Sequence, residues 1–190
     1  MAAEPATQSG ASRAPTLHPL LVPLAIGAAV ALTLGVYGRV HEPTGIAVSV
    51  AGFSSPQTVK VWLASAAALL AVVQITSAAV MYGKVPGVKA PSWTGSLHRW
   101  SGRTAFLLTI PVVVHCLYAL GFSTLSARTL THSLLGCFFY GAFTVKMLIL
   151  PKHDLPGWVL RVMGGLVFSA LVGLWLTSSF WFFTTFGVKL

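Results

Sequence analysis

The sequence predicts an all-α, polytopic membrane bundle of about five helices, and three observations carry that expectation. The 190 residues are 55 % hydrophobic and only 8 % charged, with a mean hydropathy of +0.81. A soluble domain of this size needs far more charge on its surface, whereas lipid solvates the outside of a membrane protein. Five apolar runs, at roughly 19–39, 59–82, 104–122, 130–150 and 158–186, are long enough to cross a hydrocarbon core. Finally, the basic residues collect in the short connections between these runs and at their ends.

Taken in order, residues 1–17, "MAAEPATQSGASRAPTL", are small, polar and proline-containing, and read as a disordered tail. They lack the basic start of a cleaved signal peptide, so the first apolar run reads as a retained anchor. Residues 18–190 then form a single transmembrane domain, because no connection is long enough to separate two folded units. The loop at about 40–58 holds the turn-rich "HEPTG" and "GFSSPQT", and that at 83–97 is basic and rich in proline and glycine. Only "STLSART" separates the third and fourth spans, which predicts adjacent antiparallel neighbours. "PKHDLPG" joins the fourth to the fifth, with a proline at either end marking the breaks. Spans three, four and five are therefore expected to form the most compact part.

The formal charge of +9 does not point to nucleic acid, because the basic residues form no soluble patch. Let side A be the side of the amino terminus. It receives Arg13, Lys84, Lys89, Arg99, Arg103, Lys152 and Arg161, with Lys146 close by, while side B receives Arg39, Lys60, Arg128 and Lys189. The positive-inside rule then places the amino terminus in the cytoplasm and the carboxyl terminus outside the plasma (inner) membrane. Cys116 and Cys137 both fall in apolar runs, and the absence of C-x-x-C-H excludes covalent c-type haem.

The chemistry lies in the histidines. "HRWSGRTAFLLTIPVVVH", residues 98–115, carries one at each end, and His132 opens the next apolar run. His18, His41 and His153 sit in loops or at span edges, where an interfacial imidazole is ordinary. His115 and His132 lie within their spans, where an ionisable group is expensive and faces a partner in the bundle. If spans three and four pair, these two reach similar depths near side B and face each other. They then suit either a haem iron with two axial histidines or a hydrogen bond between helices. Zinc or copper would want three or four ligands, and no such cluster is present.

His98 and His132 each precede a glycine by one helical turn, Gly102 and Gly136, which removes side-chain bulk where a porphyrin plane would lie. Ala119 does so for His115. His98 lies seventeen residues before His115, ~25 Å along a helix, which suits a second haem on side A. Its face is about a quarter turn off, although Pro111 could rotate it by a kink. His153 or His18 would complete that site. Arg99 and Arg103 at its mouth read either as partners for haem propionates or as positive-inside anchors.

The segment "LHRWSGRTAFLL…H" resembles the start of ferric-reductase-like transmembrane domains. The paired H-x-x-x-G segments resemble those of transmembrane ascorbate-reducible diheme b cytochromes. The likeness covers about residues 97–150. It implies haem b, one or two per chain, with His98, His115 and His132 as ligands, and electron transfer across the membrane. The spacing between His98 and His115 is longer than the ferric-reductase pattern, and no flavin or nicotinamide domain follows. The whole chain is also similar to a group of actinobacterial integral membrane proteins, which implies no activity.

The sequence thus leads to a b-type cytochrome, an oxidoreductase component passing electrons through bis-histidine haem between a quinol or redox-protein partner and an acceptor. The rival reading is a cofactor-free membrane anchor or assembly subunit. A transporter is weaker, because the spans hold almost no acidic residues for ion coupling.

Overall fold

The computed structural model describes residues 17–47, 49–50 and 52–190, so the expected tail lies, but for Leu17, outside the described residues. After a 3₁₀ turn at His18–Leu20 come α1 (Leu21–Val40), α2 (Pro56–Met81), α3 (Thr94–Val114), α4 (Ala127–Ile149), α5 (Gly157–Trp175) and the short α6 (Trp181–Phe186). Two of these helices continue as π-helical segments, α3 through His115–Leu120 and α5 through Leu176–Phe180. Among the described residues, five helices are long and apolar enough to cross a membrane: His18–Val40, Pro56–Met81, Thr94–Leu120, Ala127–Ile149 and Gly157–Phe186. The all-α bundle expected from the sequence is therefore present. Leu32 and Leu69 are 68 % and 70 % exposed on its outer surface, a placement that lipid favours and water does not.

Local chemistry sets the ends. Ser55 and Ser126 cap α2 and α4 in the same way. Each hydroxyl accepts from the backbone N–H three residues on, at 3.3 and 3.2 Å, and Thr58 or Thr129 returns the bond to the cap's own N–H. Span three begins ten residues earlier than its apolarity suggests, at Thr94 rather than 104. The polar stretch "TGSLHRWSGR" is helical because Gln74 and Ser77 of α2 bond to it. The span turns into its π segment just after Pro111, a residue that cannot donate to the helical ladder. It ends at Gly121, whose φ of +69° and whose closeness to the Gly38 carbonyl both favour a residue without Cβ.

Packing departs from the expected neighbours. α3 lies chiefly against α2, and α4 lies between α1 and α5, while the backbones of α3 and α4 stay apart. The six-residue link 121–126 can stretch ~20 Å, so a short loop did not oblige its helices to pair. Spans three, four and five are therefore not the most compact group.

The physical cause is side-chain size. On α1 and α4, Gly27 and Gly141 meet so closely that a Cβ on Gly141 would stand 2.6 Å from the Gly27 carbonyl oxygen. Small residues let membrane helices approach in this way. Between α3 and α4 stand bulky rings instead. Phe106 stacks on Phe143 with centroids 3.9 Å apart, and Tyr140 donates to Thr109 Oγ1 at 2.9 Å. The helices close into a ring in which α2 also meets α5 through the bond from Trp175 Nε1 to Ser65, 3.0 Å. Successive spans alternate in direction, since α2 meets α3 near side A at Ser77–His98 and the end of span five near side B at Val61–Ser179.

Candidate functional site

Where α3 and α4 fail to close, a cleft of about 230 Å³ opens on side B. Its walls come from α2 (Lys60, Val61), span three (Val113, Cys116, Leu117, Leu120), α4 (Arg128, His132, Gly136, Cys137) and the end of span five (Thr177, Ser178, Trp181). A narrower continuation of about 70 Å³ shares His132, Gly136, Cys116 and Ser178 and reaches down to Thr109 and Tyr140. The Tyr140–Thr109 bond forms the floor. Both π segments contribute to the walls, a placement typical of functional irregularities in helices.

His132 is built into this wall. Its Nδ1 lies 2.9 Å from Thr177 Oγ1, and that hydroxyl lies 2.7 Å from the Gly173 carbonyl. A carbonyl only accepts, so the threonine hydroxyl donates to Gly173 and accepts from His132 Nδ1–H. The ring is thereby held as the tautomer whose Nε2 carries a bare lone pair, the state in which histidine binds a metal. Gly136, one turn on, leaves room on the same wall, since a Cβ there would first meet Leu174 at 3.9 Å.

His115 is placed differently from expectation. It begins the π segment, but the cleft is lined by its neighbours Val113 and Cys116 and not by His115 itself. Its Nε2 is fully enclosed and without a hydrogen-bond partner. Such a nitrogen is costly to bury and wants a partner, an acceptor if it carries the proton and a donor or metal if it does not. The structure thus brings His132 to the cleft and leaves His115 off its wall, although its sequence neighbour Cys116 lines it.

The side-A candidates line neither of these hollows. His98 Nδ1 lies 2.9 Å from Ser77 Oγ, whose hydroxyl donates to the Val73 carbonyl at 2.6 Å. The Gln74 amide donates to the His98 carbonyl and to Ser101 Oγ, the latter at 2.7 Å. Gly102 gives room to that amide, because a Cβ would stand 2.9 Å from Gln74 Oε1. The two H-x-x-x-G segments therefore share a tautomer but not a use of glycine: Gly136 faces a cleft, and Gly102 faces a side chain that fills it. His153 and His18 are exposed. Arg103 is exposed beside Trp100, its guanidinium 5.2 Å from the ring centroid, and Arg99 donates to Ser96 at 3.2 Å. His41 is sandwiched at the side-B edge between Tyr37 and Tyr118, with centroids 4.9 and 5.2 Å away.

Sequence reasoning missed Thr177, Lys60 and Cys116 as parts of the site. A lone threonine in "WLTSSFW" has no spacing signature, and which residues meet across helices is not visible along the chain. Among the described residues there is no group of three or more His, Cys, Asp or Glu able to hold a metal ion. A haem with two axial histidines requires only a pair. On donor chemistry His132, on the cleft wall with a bare Nε2, fits haem iron, and His115 offers a second buried, unpartnered Nε2 but takes no part in lining the cleft.

A sequence family described as "Family of unknown function (DUF6529)" matches residues 20–190. No curated protein and no solved structure matches the chain.

Proposed function

The chain belongs to that family, and we propose that it is a membrane b-type cytochrome holding one haem b in the side-B cleft between α3 and α4. The observation that carries the reading is the tautomer of His132, a residue lining an apolar cleft, fixed by Thr177 so that Nε2 is left bare. His132, on the cleft wall, and His115, with its enclosed and unpartnered Nε2, are the residues that would hold the haem iron. Held by two histidines, such a group would supply one-electron transfer rather than substrate binding at the metal.

The remaining residues have supporting tasks. Thr177 orients His132 and keeps its Nδ1 proton in place. Gly136 leaves the α4 wall flat, and the Phe106–Phe143 stack with the Tyr140–Thr109 bond closes the cleft toward side A. The donor is a quinol or a redox protein, and a partner of either kind would meet the cleft from side B. The excess of Lys and Arg on side A supports a cytoplasmic amino terminus in the plasma membrane, with the cleft opening outward.

The haem-to-protein ratio of purified variants tests the assignment. His132→Ala and His115→Ala should each lose the haem, whereas Cys116→Ala and His98→Ala should keep it. Retention in both His132→Ala and His115→Ala would defeat the reading.

A further inference from the structure

We propose that Lys60 and Arg128 form a carboxylate-binding mouth at the side-B end of the cleft, taking an apolar molecule that carries one or two carboxylates. Both residues line the cleft near its polar end, alongside Gln57 and Thr129. They lie at the starts of α2 and α4, at the depth where the apolar interior meets the interface. Among the described residues no carboxylate side chain lines the cleft, and the chain holds only three acidic residues, Glu4, Glu42 and Asp154. Two half-buried cations thus line one end of a largely apolar hollow, and an anionic group on an apolar ligand would meet both.

An arginine that merely snorkels would extend into the headgroups. Arg128 does not. Its Nη1 donates to the Thr177 carbonyl at 2.6 Å, and its guanidinium carbon lies 3.7 Å from the centroid of the Trp181 ring. This holds the guanidinium against the cleft wall with most of its five donors uncommitted, as suits forked recognition of a carboxylate. Thr177 thus serves two residues, its hydroxyl accepting from His132 and its carbonyl from Arg128. Metal ligand and anion site are tied to one turn of span five.

Two kinds of molecule share the chemistry. A haem carries two propionates, and in that form the inference rests on the cytochrome reading. A fatty acid carries one carboxylate on an apolar chain, and in that form it does not.

The experiment titrates the purified full chain in detergent with haemin, haemin dimethyl ester, spin-labelled stearate and its methyl ester. The comparison set is the parent, Lys60→Gln/Arg128→Gln, Lys60→Arg and His132→Ala, each checked for helicity and thermal unfolding. The expected result is an acid bound at least tenfold more tightly than its ester by the parent and by Lys60→Arg. The ratio should fall to near one in the Gln/Gln variant. His132→Ala should weaken haemin and its ester together while leaving their ratio intact. Discrimination seen with stearate but no haemin binding would support the mouth and defeat the cytochrome reading. Equal binding of acid and ester by the parent, persistence of the ratio in the Gln/Gln variant, or no binding of any probe would overturn the proposal.

Discussion

The Nδ1 of His132 lies 2.9 Å from the hydroxyl of Thr177, tying the second turn of α4 to the π segment at the end of span five. Because that hydroxyl is already committed to the Gly173 carbonyl, it can only accept from the imidazole. One threonine therefore decides which ring nitrogen carries the proton. Thr177→Val should release the ring and lower haem affinity by roughly 10- to 100-fold, the usual cost of losing a partner behind a metal ligand. Thr177→Ser should retain most of it. Titration of both variants with haemin checks the expectation, and equal affinity for parent and Thr177→Val would contradict it.

The His98 cluster should prove structural. His98, Ser77, Gln74 and Ser101 join α2 to α3 through bonds that are satisfied within the cluster. Ser77→Ala should destabilise the protein by about 1 kcal/mol, the net worth of one such hydrogen bond. The absorbance of haem in the side-B cleft should not change. Thermal unfolding in detergent, followed alongside the haem-to-protein ratio, separates the two effects.

Close contact between α1 and α4 gives a prediction that needs no cofactor. In Gly141→Ala the new methyl would stand 2.6 Å from the Gly27 carbonyl oxygen and 3.0 Å from Ala31 Cβ. Neither neighbour is a flexible side-chain end, so the helices must part, at a cost of about 1–3 kcal/mol. Gly164→Ala is the control, since nothing lies within 4 Å of its Cβ position. There the better helix former should add up to about 1 kcal/mol. Unfolding of both variants in parallel checks the sign as well as the size.

Much of this fold was legible in the residues. The five spans follow from apolar length alone, because lipid demands long apolar helices with internally satisfied backbones. What the residues concealed was lateral order. "STLSART" is short, yet α3 packs on α2, because Gly27 and Gly141 draw α4 to α1 while Phe106 and Phe143 hold α3 and α4 apart. The start of span three was hidden for a related reason. Its first turns are polar toward α2, and a hydropathy reading sees polarity as a boundary. Of the candidate site, His132 and Gly136 stand out in the sequence and line the cleft, but the part of Thr177 depends on a contact between residues 45 positions apart.

Orientation can be read independently of chemistry. In a background with Cys116 and Cys137 replaced by alanine, a cysteine at Val188 should react with an impermeant thiol reagent applied to intact cells. One at Gly87, in the loop between α2 and α3, should react only after lysis. The reverse pattern would place the cleft on the cytoplasmic face and contradict the orientation proposed from the basic residues.

The most direct test of the central claim is the reduced-minus-oxidised visible spectrum of the purified full-length protein, recorded for the parent and for His132→Ala. A b-type haem with two axial histidines should give the sharp α-band of a low-spin cytochrome in the parent, at about one haem per chain, and His132→Ala should abolish it. A parent that folds as a helical membrane protein yet shows no such band, even when expressed with ample haem, would contradict the account.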